Sequence, residues 1–112
     1  MRFAVPVTEG RTAAHFGHCS HFALFDADEK TKTIERKEIV PSPGHQPGFL
    51  PAWLAEQGVT VVIATGMGSR AQAIFDEHRI NVVIGACDDD PEKLVTDYLN
   101  GKLVTGQNIC DH

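Results

Sequence analysis

Two short runs, Val59–Thr65 and Asn81–Gly85, are almost wholly apolar, and the segment between them has helical period. A strand is apolar on both faces only where both faces are covered, the usual situation of a parallel strand flanked by helices. Ala71, Ile74, Phe75 and His78 recur at helical spacing between the two runs, so the order is strand, helix, strand. That order implies a parallel pair joined by a right-handed crossover. A chain built on such a unit is committed to a layered α/β fold.

Upstream, Phe3–Val7, Phe22–Asp26 and Thr33–Val40 read as three further strands, each bounded by Gly, Pro, Asp or Asn. The polar turn Ala27–Thr31 joins the second and third as a hairpin, so the first half is partly antiparallel. Leu50, Trp53, Leu54 and Gln57 mark one more helix, and Leu94, Val95, Tyr98 and Leu99 another. Asp90-Pro91 is a helix start; Gly58 and Gly101 stand where helices stop. The 112 residues suit one domain, 1–112, with a mixed sheet of about five strands and three helices. The Pro/Gly-rich stretch Pro41–Gly48 links the two halves as an exposed functional loop, and the tail Gly106–His112 is expected to be flexible.

A net charge of -5 leaves no basic face for a phosphate backbone, which argues against nucleic acid. There is no apolar leader and no run of about 18 apolar residues, so the reading is a soluble cytoplasmic protein with no membrane partner. Three irregularly spaced cysteines, 19, 87 and 110, do not make a disulfide framework.

The densest chemistry is His15-Phe16-Gly17-His18-Cys19-Ser20-His21, in a loop between the first two strands. Imidazole and thiolate are ligands for zinc, copper, iron and iron–sulfur centres, so His15, His18, Cys19 and His21 are the expected core metal ligands. Gly17 would help the backbone fold round the ion. Second-rank candidates are His45 in the Pro/Gly loop, Cys87 at a strand end, and Cys110 with His112 in the tail. His45 reads equally as a solvated histidine, Cys87 as an inert buried thiol, and the tail pair as making no site. His78, near the end of an apolar helical stripe, reads as structural.

Val61–Ala71 runs strand, then Gly66-Met67-Gly68-Ser69-Arg70-Ala71, then helix, with Asp88 about twenty residues on. This is a dinucleotide fingerprint in its required context, and a nucleotide-binding module is the alternative reading. Against it, the strand comes fourth and there is no second mononucleotide half. What survives is narrower: the amides of Gly66, Met67, Gly68 and Ser69 at a helix N-terminus, with Arg70 beside them, form an anion-binding turn that suits a metal–sulfur cluster as well as a phosphate. Asp88-Asp89-Asp90 reads as a capped, solvated turn in preference to a cation site. No nucleophile elbow, HExxH or P-loop lysine is present. A non-catalytic interaction domain with incidental histidines is a third reading.

Taken together, these residues resemble the dinitrogenase iron–molybdenum cofactor biosynthesis family, which includes NifX- and NafY-type domains, the C-terminal region of NifB and the orange protein. The resemblance rests on Met1–Val7 with Thr8-Glu9-Gly10, on His15-Phe16-Gly17 with Phe22 and Asp26, and on Pro47-Gly48-Phe49-Leu50-Pro51 with Trp53-Leu54. It rests also on Gly58-Val59, Gly66–Ala71, Phe75, Ile80 and Val82. It implies a ribonuclease-H-like fold and the carriage or storage of a metal–sulfur cluster, Fe–S or containing Mo or Cu, rather than turnover. His15 is the ligand that carries over. The further His and Cys of the loop and the Cys110-x-His112 tail depart from the common pattern. Cluster donor or acceptor proteins are the implied partners, and a homodimer would let two loops or two tails share one cluster.

Overall fold

The computed structural model describes residues 1–44, 49–87 and 89–106. The elements run β1 (Arg2–Thr8), β2 (Arg11–Thr12), β3 (His21–Asp28), β4 (Thr33–Pro41), α1 (Phe49–Glu56), β5 (Val61–Ile63), α2 (Ser69–Glu77), β6 (Asn81–Val83) and α3 (Pro91–Leu99). They form one mixed sheet of order β4-β3-β1-β5-β6, with β2 paired to β1. β1 is antiparallel to β3 and parallel to β5, and β5 is parallel to β6. The parallel half expected from the two apolar runs is therefore present, as is the β3–β4 hairpin.

Alternation along the strands builds two cores. Phe3, Val5, Val7, Ala23, Phe25, Val61 and Ile63 face α3, where Leu94 and Val95 are buried. Ala4, Phe22, Leu24, Val62 and Ala64 turn to the other face, against Leu50 and Leu54 of α1 and Phe75 of α2. The helix signals work as read. Asp90 accepts the Glu92 amide at 3.0 Å and Pro91 opens α3, while Gly58 and Gly101 take φ of 80° and 69° after α1 and α3.

Three expectations are corrected. The parallel strands are shorter than their apolar runs, because Val59 lies in the turn that ends α1, its amide donating to the Leu54 carbonyl at 3.2 Å. The loop expected between the first two predicted strands contains a sixth strand: Glu9 and Gly10, at φ 54° and 79°, make a two-residue turn that folds β2 back on β1. His78 is exposed at the C-terminal end of α2 and does not share the buried stripe of Phe75. Among the described residues, no helix is long and apolar enough to cross a membrane.

After α3 the chain returns to the end of β6. Ala86 bridges Thr105, and the Gly106 amide donates to the Gly85 carbonyl at 2.7 Å. Gly85 has φ 84°, and a Cβ there would stand 2.1 Å from the Gly106 carbonyl oxygen. Gly85→Ala is expected to cost about 1–3 kcal/mol and to speed amide exchange at Gly106, whereas Gly17→Ala, with open space around its Cβ, should change stability by less than about 0.5 kcal/mol. Urea denaturation and hydrogen exchange of the two variants check this.

Candidate functional site

β1, β5 and β6 are parallel, so their C-terminal ends share one edge of the sheet. β3 starts there and β4 finishes there. The loops at this edge are tied to one another by backbone hydrogen bonds: Ala13 to the Pro6 carbonyl, Thr12 to the Asp89 carbonyl and Phe16 to the Gly66 carbonyl, each at 2.8 Å, and Ser42 to the Ser20 carbonyl at 3.0 Å.

The His-rich loop is anchored by its one large apolar residue. Phe16 is 3% exposed, its ring 5.6 Å from that of Phe22 and 5.3 Å from that of Phe75, at aromatic packing distance. Residues Phe16–His18 form one turn of 3-10 helix, the His18 amide donating to the His15 carbonyl at 3.2 Å. With Phe16 turned inward, His15 and His18 are left exposed, their rings 6.0 Å apart and edge to face. Sequence reasoning gave Phe16 no role; a lone aromatic in a polar loop was the available signal.

His15 pairs in a parallel bridge with Gly66, which sets the imidazole loop against the Gly66–Arg70 turn. Met67 is buried, and its carbonyl accepts from the Gln72 side chain at 3.1 Å. Gly68 caps α2 in extended conformation, and Ser69 and Arg70 are exposed in the first turn. Amides of a first helical turn have no intrahelical acceptor, and the helix dipole is positive there. The two loops thus meet through their backbones, one carrying two exposed imidazoles and the other a helix N-terminus with an exposed guanidinium.

The other expected ligands are not gathered with these. Cys19 is 3% exposed and packs in the core beneath the loop. Burial pushes its thiol up to about 11, partly offset by its own backbone amide and the Ser42 hydroxyl, so at neutral pH it packs as a protonated thiol closed off from the surface. His21 opposes Val7 in the ladder and so shares the α3 face with it, away from the face that holds Phe16. Cys87 is exposed at the end of β6, donates to the Gly85 carbonyl at 3.0 Å, and lines a depression of about 320 Å³ with Lys93, Asp97 and Lys102. Asp90 is occupied as a helix cap. His45, Asp88, Cys110 and His112 lie outside the described residues. Among the described residues, no three His, Cys, Asp or Glu side chains converge as a metal site.

The chain is similar to several known proteins. It is 29% identical over 108 residues to the uncharacterized protein MJ0580 of Methanocaldococcus jannaschii, covering 92% of this chain and 89% of that one. The crystal structure of PH0822 superposes with a TM-score of 0.85 at 27% identity, over 95% of this chain and 96% of the other. The apo orange protein of Desulfovibrio gigas shares the fold, with a TM-score of 0.74 at 20% identity over 96% and 93% of the two chains. Residues 1–101 match the family model described as dinitrogenase iron-molybdenum cofactor. That match takes in every strand and helix described above, and the chain belongs to the dinitrogenase iron–molybdenum cofactor family.

Proposed function

We propose that this protein binds an anionic metal–sulfur cluster, Fe–S or Mo-containing, and carries or stores it at the shared edge of β1, β5 and β6. The observation that supports the reading most is the His15–Gly66 bridge, which brings the backbone of the His15 loop against the turn that leads into α2. His15 and His18 are the ligands, and Ser69 and Arg70 with the first-turn amides hold the negative charge. Glycine at 17 and 68 fits this use. Neither position has positive φ, and nothing lies within 4 Å of either Cβ position, so neither conformation nor packing calls for glycine there. What a missing side chain leaves at both is close access to backbone.

The reading is tested on untagged protein handled without oxygen, loaded with iron and sulfide or with thiomolybdate and followed by metal analysis and visible absorption. Wild type should take up metal and sulfide near stoichiometry. His15→Ala with His18→Ala should reduce uptake at least about tenfold and Arg70→Ala about tenfold, the range of one or two charge-assisted contacts. Gly68→Leu should block loading while lowering the thermal midpoint by only several degrees, the cost of a poorer N-cap at α2. Full loading of the double histidine variant would sink the proposal. The nucleotide alternative predicts a raised midpoint with saturating NAD or ATP, since a ligand of the folded state stabilises it.

Cys19 has no ligand role in this reading, so Cys19→Ser should load normally. In a Cys110→Ser background at pH 8, Cys87 should react promptly with a disulfide reagent and Cys19 only on unfolding. The folded state holds the Cys19 proton more tightly than the unfolded chain, where the thiol titrates near 9. Its contribution to stability is therefore complete below pH 9 and declines as pH rises through about 11. Denaturant midpoints of wild type should fall over that window more steeply than those of Cys19→Ala.

A further inference from the structure

α3 covers only part of its face of the sheet. It begins at Pro91, and beyond that point Val7, Ser20, His21, Lys37 and Ile39 border a depression of about 490 Å³, closed at one end by the Glu9-Gly10 turn. Ile39 is 49% exposed although it stands on the same face as buried Ala23, its ladder partner. The apolar wall of the depression thus continues to the outermost strand. In the ladder of main-chain hydrogen bonds that strand, β4, pairs only with β3 among the described residues. An open edge with an adjoining apolar socket has the two elements that an added strand uses: main-chain partners for affinity and a pocket for alternate side chains.

The charges of β4 select the occupant. In every antiparallel register of useful length, pairing β4 (TIERKEIVP) with itself sets like charge on like or a charge on an apolar residue. Centred on Lys37, for example, Arg36 meets Glu38, but Lys37 meets Lys37 and Ile39 meets Glu35. Like charges directly opposite destabilise a ladder, and the longer registers that avoid them set Ile39 opposite Arg36, Glu38 or Lys32, so a second copy leaves the apolar wall at Ile39 without an apolar partner. Lys37 extends over the Phe25 ring, its ammonium 5.8 Å from the centroid, on the same face as Ile39.

We propose that the open edge of β4 and the socket beside it dock an extended segment of a different protein, antiparallel to β4, with a large apolar side chain opposite Ile39 and, two residues later, an acidic one opposite Lys37. The surface lies on the other face of the sheet from Phe16 and the His15 loop, and the proposal stands whatever cargo that loop binds.

The probe is the capped heptapeptide acetyl-Val-Thr-Leu-Thr-Asp-Thr-Val-amide, titrated into full-length isotope-labelled protein with amide shifts recorded by NMR. Saturable shifts centred on β4, His21 and the Glu9-Gly10 turn are expected. Ile39→Lys should weaken them at least about tenfold, the loss of one buried apolar contact, with the thermal midpoint lowered by only a few degrees because Ile39 is already half exposed. A peptide with Ser in place of Leu should lose as much. Absence of shifts at millimolar peptide, shifts centred elsewhere, equal binding by Ile39→Lys, or a dimer in sedimentation equilibrium that Ile39→Lys dissociates would each overturn the proposal, the last by showing a second copy as the occupant.

Discussion

β1 is hydrogen-bonded along both edges and buried on both faces, and the rest of the molecule is arranged around that constraint. Its antiparallel neighbour β3 and parallel neighbour β5 divide the sheet into halves of different pairing, with β1 common to both. Phe3, Val5 and Val7 commit one face to α3, and Ala4 commits the other to α1 and α2. Since β1, β5 and β6 point the same way, their outgoing loops must collect at one edge. The His15–Gly66 junction is a consequence of that topology more than of any affinity between the two loops.

The same parity explains why four neighbouring ligand-type residues reach different places. Loop residues 15–18 are positioned by Phe16, whose ring belongs to the α1/α2 core. His21 is already in β3, opposite Val7, and the two-residue period of a strand sends it to the α3 face. Cys19 lies between, where the chain passes from loop to strand, and fills the core. Nearness in sequence does not carry over to nearness of side chains, because a strand boundary runs through the motif.

Most of the fold was legible for a physical reason: apolar period, helix stops and the Asp90-Pro91 start are local signals that this structure obeys. The site was half legible. The Gly66–Arg70 turn could be placed from strand, glycine and helix in order, and His15 from the loop that follows β1. The sorting of Cys19 and His21 needed the β1–β3 register, which no local signal carries. The tight Glu9-Gly10 turn has no clear local signal, since glutamate seldom takes positive φ, and the exposed wall at Ile39 depends on where α3 begins relative to β4. Both are properties of tertiary packing.

An open edge of this kind differs energetically from a closed structural metal site. A full set of thiolates and imidazoles around zinc binds with about 10–16 kcal/mol and is correspondingly slow to give the metal up. Two exposed imidazoles with a helix N-terminus, the latter contributing on the order of 0.3–2 kcal/mol, hold far less. Under the proposed reading, weak and exposed holding would suit passing the cargo on. The burial of Cys19 would work in the same direction: an exposed thiolate in the His15 loop would add a strong soft ligand, whereas a thiol packed in the core would leave the imidazoles to set the affinity. A reversible site of that strength would also favour transfer by direct contact, because cargo released to water is diluted before a second protein can capture it.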